Sequence, residues 1–201
     1  MLKRLLLISL FLWPLAAGAS SVRSMSLEEV AGHAGLIFEG RVIGRQVVAG
    51  QGKRSIHTLV TFQVLDVIKG RSPGETLTLS FMGGDTGHRS LVVSDLRLPK
   101  VGEHGIYFVA DPARRFINPL VGWHQGHYLV TRDRATGREV VRTLDGRTLY
   151  GLDAPKRAEA QALVSRSGGA RGVRLTPRGV EPPMSPAAFK DGVRHLLEVR
   201  R

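Results

Sequence analysis

The chain has 201 residues, no Cys, 29 Lys and Arg against 17 Asp and Glu, and a formal net charge of +12. The missing thiol excludes disulfides, Fe–S clusters and thiolate zinc sites. The length suits one domain with a tail, large enough to close a core without staples.

Lys3 and Arg4 open the chain, Leu5 to Leu15 is apolar, and Ala17-Gly18-Ala19 is a small-x-small cleavage pattern. Together these predict a secretory signal peptide over residues 1–19, with an exported product, periplasmic or secreted after cleavage near Ala19. The alternative is an uncleaved anchor, but the apolar run falls short of the ~20 residues that a spanning helix needs. No Cys follows the site, so no lipoprotein anchor is expected.

Ser26-Leu27-Glu28-Glu29 is a capping box, which predicts a short helix through about His33, ended by Gly35. Leu36 to Val48 reads as a strand, with a bulge or tight bend expected at Gly40. Thr58 to Gly70 is the longest uninterrupted β-favouring run, with Val60, Phe62 and Val64 on one face and Thr61 and Gln63 on the other. Glu75 to Met82 is the next strand. Three glycines then fall within Gly83-Gly84-Asp85-Thr86-Gly87-His88, allowing unusual backbone angles; the Walker pattern is missing. Short strands follow at Leu91–Val93 and Ile106–Ala110, separated by a turn at Pro99, Gly102 and Glu103. Asn118 to Gly126 is a second unusual loop, leading into a strand over His127–Thr131. Glu139–Thr143 and Thr148–Leu152 flank Asp145-Gly146, a hairpin signal.

After Pro155 the composition shifts. Lys156 to Leu163 could form a short helix. Ser165 to Pro183 is rich in Gly, Arg, Ser and Pro with little to bury, which predicts a disordered linker. Ser185-Pro186 then caps an amphipathic helix carrying Phe189, Val193, Leu196 and Leu197. It is free to pack on the domain or to dock on a partner. The expected layout is a signal peptide 1–19, a β-domain 20–154, a flexible linker 155–184 and a terminal helix 185–201. The fold class is mainly all-β: a five-stranded, OB-like Greek-key barrel with a short N-terminal helix, an added hairpin and a C-terminal helix. A β-sandwich is the fallback.

Several motifs resemble one family. Leu36-Ile37-Phe38-Glu39-Gly40-Arg41-Val42, Thr61-Phe62-Gln63-Val64 to Ile68-Lys69-Gly70, and Gly102-Glu103 before an apolar strand resemble a pattern in uncharacterised exported bacterial proteins. The glycine-rich loop and Asn118-Pro119-Leu120-Val121-Gly122-Trp123 to Gln125-Gly126 resemble the same group. The strand plan is similar to the OB barrel of netrin-like domains and tissue inhibitors of metalloproteases, over roughly Ser26 to Thr131. The resemblance implies a binding role, and some members are encoded beside matrixin-type metalloproteases. Those inhibitors block zinc with an N-terminal Cys, which this chain lacks, so their chemistry does not carry over. Fold alone does not fix function.

No catalytic signature stands out. His124 and His127 are three apart, with His88 and His104 upstream, a set that a metal-dependent hydrolase could use if the fold brought them together. The plainer reading is scattered histidines. There is no Gly-x-Ser-x-Gly elbow and no carboxylate pair in an apolar setting. A non-enzymatic module with no cofactor is expected. Its candidate binding residues are Gly83, Gly84, Asp85, His88, Asn118, Gly122, Trp123 and Gln125; the competing reading is that Trp123 plugs the barrel end and the glycines serve the turns. The expected partner is a secreted or periplasmic protein, with a metalloprotease as the case that the resemblance suggests. The alternative is an anionic envelope polymer or lipid, drawn by the charge of +10 that remains of the +12 once Lys3 and Arg4 leave with the signal peptide. Export argues against nucleic acid. A solvated basic surface without a partner is the bland reading.

Overall fold

The computed structural model describes residues 23–50, 55–153 and 168–199. The expected leader over 1–19 and the expected helix over Lys156–Leu163 lie outside the described residues. The capping box forms as read: Ser26 Oγ accepts from Glu29 N–H (3.0 Å), and Glu29 Oε2 accepts from Ser26 N–H (2.7 Å). It starts α1, Leu27–His33.

The chain is mainly β. Strands β1 (Leu36–Ala49), β2 (Ile56–Lys69), β3 (Thr76–Met82), β6 (His104–Val109), β7 (His127–Arg132) and β8 (Glu139–Arg142) form one antiparallel sheet in the order β3-β2-β1-β6-β7-β8. Two ribbons flank it: β4 (Gly84–Asp85) with β5 (Ser90–Leu91), and β9 (Gly151–Leu152) with β10 (Val173–Arg174). Helix α2 spans Pro186–Glu198.

β1 pairs on both sides, with β2 along its whole length and with β6 over Leu36–Arg41. Its pairing with β2 shifts register at three places, one of them between Glu39 and Gly40. A Cβ on Gly40 would lie 2.7 Å from the Phe38 ring and 2.9 Å from Gln63 O, so only glycine lets the bend close this tightly.

Among the described residues no sheet closes on itself, and the five-stranded barrel is not confirmed. The reason lies in the chain after Met82. There, where the sequence predicts a short strand at Leu91–Val93, the chain makes only the two-residue strands β4 and β5. The β8 strand instead adds a sixth member at the other edge. One bond draws the free β3 edge inward, from Met82 N–H to Ile117 O (2.9 Å). The Asp145-Gly146 hairpin forms, with Arg142 bridging Thr148 and Leu149 N–H donating back to Val141 O (3.0 Å) on β8, before the chain goes on to pair as β9 with β10.

The sheet buries both faces. On one, Ile37, Ile106, Phe108, Tyr128, Val130 and Val141 pack under α1 and α2 through Leu27, Val30, Phe189 and Val193. On the other, Phe38, Phe62 and Tyr107 form an aromatic cluster with centroids 4.7–5.4 Å apart, joined by Val42, Val60 and Phe81. The Val60–Phe62 face is thus the core face, as the period-two pattern predicts.

The linker expectation needs correction for residues 168–184. Arg171 N–H donates to Met25 O and Leu27 N–H donates to Arg171 O (both 2.8 Å), while β10 pairs β9. Tyr128 OH accepts from Ala170 N–H (3.2 Å) beneath them. A segment with few apolar residues is held here by backbone bonds and by Arg174, which composition alone does not show.

Candidate functional site

The two loops singled out from sequence meet at their bases, at the Met82–Ile117 bond, but their residues do different things. Gly84 has φ +140°, and a Cβ there would lie 2.7 Å from Thr58 Oγ1 and 2.9 Å from a Val47 methyl. Gly83, at φ +102°, would press a Cβ to 2.9 Å from Leu91 O, and its carbonyl accepts from Thr58 Oγ1 (2.7 Å). Both glycines serve close packing of the chain on itself. Asp85 Oδ1 accepts from Gly87 N–H (2.7 Å), shaping the ribbon tip, and His88 is exposed there.

In the second loop Asn118 Oδ1 accepts from Leu120 N–H (3.0 Å), a local turn. Gly122 and Trp123 both sit near φ +61°, opening a 3₁₀ turn over Trp123–Gly126. Gln125 is fully buried: its Oε1 accepts from Met25 N–H (2.7 Å) and its Nε2 donates to Arg23 O (3.0 Å) and Gly122 O (3.1 Å). It clamps the segment before α1 to this turn and is not available to a ligand. Of the eight residues, Asp85, His88 and Trp123 keep exposed or partly exposed side chains without such a clamp.

The histidines separate. His88 is at the ribbon tip. His104 and His127 lie on opposite faces of the sheet, because His104 shares parity with Ile106 and His127 stacks on Tyr107 at 4.6 Å. His124 and His127 line one small void of about 10 Å³ with Asp95, Arg97, Asn118 and Trp123. Among the described residues no group of three or more His, Cys, Asp or Glu could hold a metal ion.

Each face carries a buried polar cluster that sequence reading missed. Beside the void, Arg97 Nη2 donates to Glu103 Oε2 (2.7 Å), and Glu103 Oε1 lies 3.1 Å from His127 Nε2. The void has room for about one water molecule, which suits two polar atoms of its lining left without a hydrogen bond, Arg97 Nη1 and His127 Nδ1. Burial holds the His127 imidazole below its usual pKa, Glu103 opposing. Burial pushes Glu103 up, but His127 and Arg97 outweigh it and leave the carboxyl below its usual value. Under α2, Lys190 Nζ donates to Glu39 Oε2 (2.6 Å) and Asp66 Oδ2 (2.8 Å), while His104 Nε2 bonds Glu39 Oε1 (2.9 Å). The sequence signals are slight: Glu39 falls on the strand face opposite Phe38, and Lys190 stands next to Phe189.

The fold also makes a groove of about 670 Å³ between α1, the end of β2 and α2, lined by His33, Ile68, Lys69, Arg194 and Leu197. Its cations are engaged: Lys69 Nζ donates to Ala31 O (2.7 Å) and Gly32 O (3.1 Å), and Arg194 bonds Asp66 and Asp191.

The remaining feature is a concentration of free positive charge. Register places Arg41 opposite His104 at the start of β6, and Arg132 opposite Glu139 at the far end of β7. Since β1 and β7 run the same way on either side of β6, Arg41, Arg45, Lys100, Arg132, Arg134 and Arg138 collect at one end of the sheet, all exposed. Arg45, Lys100, Arg132, Arg134 and Arg138 have no ion-pair partner among the described residues. Of the acids there, Asp133 is bonded into its own turn, while Glu139 stays about half exposed. Asp133 Oδ1 accepts from Thr136 N–H (2.9 Å) and Ala135 N–H (3.1 Å), which holds its carboxyl below the usual range, and Glu139 lies 3.6 Å from His104 Nδ1.

Comparisons with protein-family models, with curated proteins and with solved structures found no match.

Proposed function

We propose that this chain is an exported, non-enzymatic binding module that holds a polyanion against the basic end of its sheet. The observation that carries the reading is the group of five exposed cations with no ion-pair partner among the described residues, Arg45, Lys100, Arg132, Arg134 and Arg138, beside Asp133, whose carboxylate is bonded within its own turn. Unpaired exposed cations at one end focus a positive potential and attract anionic partners. The test is retention on a polyphosphate matrix across a salt gradient. The reading predicts strong retention at low salt that falls steeply with salt, and much weaker retention for the Arg132→Ala/Arg134→Ala/Arg138→Ala variant. Equal retention of variant and parent would count against it.

A second reading, engagement of a secreted protein such as a metalloprotease, keeps support from one residue. Trp123 is partly exposed on a left-handed backbone, an aromatic face of the kind that anchors interfaces. The netrin-like, OB-type reading of the fold belongs with these proposals. Its support is the long, bent β1–β2 pair and the bond from Met82 that draws the β3 edge toward Ile117. Export rests on the Lys3-Arg4, Leu5–Leu15 and Ala17-Gly18-Ala19 pattern.

A further inference from the structure

The basic end carries more than charge. Ile43 is 49% exposed and Val101 is 61% exposed. Val42 N–H donates to Glu103 O (2.9 Å) and Gly102 N–H donates to Val42 O (2.8 Å), so the backbone bonds set Val101 alongside Ile43. Arg41 and Arg45 lie two residues to either side of Ile43, Lys100 directly precedes Val101, and all three are exposed. The result is an apolar pair among cations, with Ile43 on β1 and Val101 in the Lys100–Glu103 turn, which Glu103 N–H closes onto Lys100 O (2.9 Å).

We propose that the polyanion met by this end is the headgroup layer of an anionic lipid surface, with Ile43 and Val101 entering its interfacial region. This rests on the basic-end reading above. A soluble polymer of phosphate or carboxylate groups would be met by the cations alone, and two aliphatic side chains standing among them would add nothing. A membrane interface offers both partners within a few ångströms: anionic groups for the guanidinium and ammonium heads, and the acyl boundary for the aliphatic tips. Long Arg and Lys stems span that distance, apolar along their length and charged at the end. Contact would be peripheral, since no helix among the described residues is long and apolar enough to cross a membrane.

The test uses the chain without residues 1–19, sedimented with vesicles of phosphatidylglycerol and phosphatidylcholine, with pure phosphatidylcholine vesicles, and separately titrated with soluble polyphosphate. The expected result is binding to the anionic vesicles and little to the neutral ones. Each cation removed from the end should weaken vesicle binding by about fivefold. An Ile43→Ser/Val101→Ser variant keeps every charge; it should lose vesicle binding by about tenfold or more while its polyphosphate affinity stays unchanged. Both positions are exposed, and an unchanged urea midpoint checks that the variant folds. If the parent binds polyphosphate but not anionic vesicles, or the Ser variant binds vesicles as well as the parent, the lipid inference is overturned and the polyanion reading stands. If neither probe binds, both fall.

Discussion

Gln125 shows how a side chain that looks like a contact residue can be structural. Its amide makes three bonds to Met25, Arg23 and Gly122 with no exposure. Gln125→Leu would leave the Met25 N–H and two carbonyls without that partner, and each unsatisfied buried group costs about 1–3 kcal/mol. A loss of about 2 kcal/mol or more in urea unfolding is expected; a change below half of that would mean that water replaces the clamp. His127 gives a pH prediction. Its folded pKa lies below the ordinary value of 6.5 because burial disfavours the imidazolium. As pH falls through about 6.5 the unfolded chain takes up the proton and the native chain does not, so stability drops, by up to about 1.4 kcal/mol per pH unit, until the folded pKa is reached. Glu103, whose folded pKa is lowered, adds a further loss at lower pH, from the ordinary 4.5 down through its folded value. His127→Gln keeps a donor facing Glu103 and removes the imidazole titration. Urea midpoints between pH 7.5 and 5 should therefore slope less in that variant; the same slope in both would place the acid sensitivity elsewhere.

At the scale of elements, β1 and α2 show what the sequence tells and what it leaves out. The alternation in Thr58–Gly70, the glycine in β1 and the Ser26 and Ser185 caps are local signals, and local physics was enough to place those elements within a few residues. Sheet closure is non-local. It depends on which edge finds a partner, and nothing within Glu75–Val93 says that β4 and β5 will be two residues long. The docking of α2 has the same character. Phe189 sits 4.8 Å from Tyr128, but what locks the helix in place is Lys190 between Glu39 and Asp66, three residues far apart in sequence. Burial pulls the Lys190 ammonium down, yet the two carboxylates outweigh it and its pKa rises above the usual value. The His104 bond, then Lys190, holds Glu39 low against its own burial. Lys190→Ala leaves Glu39 buried with one partner instead of two, and a destabilisation of about 2–3 kcal/mol is expected, somewhat under the cost of breaking a fully buried pair because Asp66 is partly exposed. Lys190→Ala with Glu39→Gln should recover part of that loss. A double variant as unstable as the sum of the singles would contradict the coupling.

For the whole molecule, the +12 charge was legible from composition, but its placement was not. Arg41, Lys100 and Arg134 are distant in sequence, and only the antiparallel order β1-β6-β7 brings them to one end. Conversely, the glycine-rich loop that sequence favoured as a site is largely absorbed by packing against Thr58, Val47 and Leu91. Function on this account lies in a surface assembled by topology, while the two buried polar clusters fix the sheet and helix that hold it.

The most direct measurement is amide chemical-shift mapping of the chain during titration with soluble polyphosphate. The account predicts perturbations concentrated in residues 41–45, 100–102 and 132–139, fading as salt rises. Shifts centred on residues 83–88 and 118–125, and insensitive to salt, would contradict it and move the binding surface to the loops.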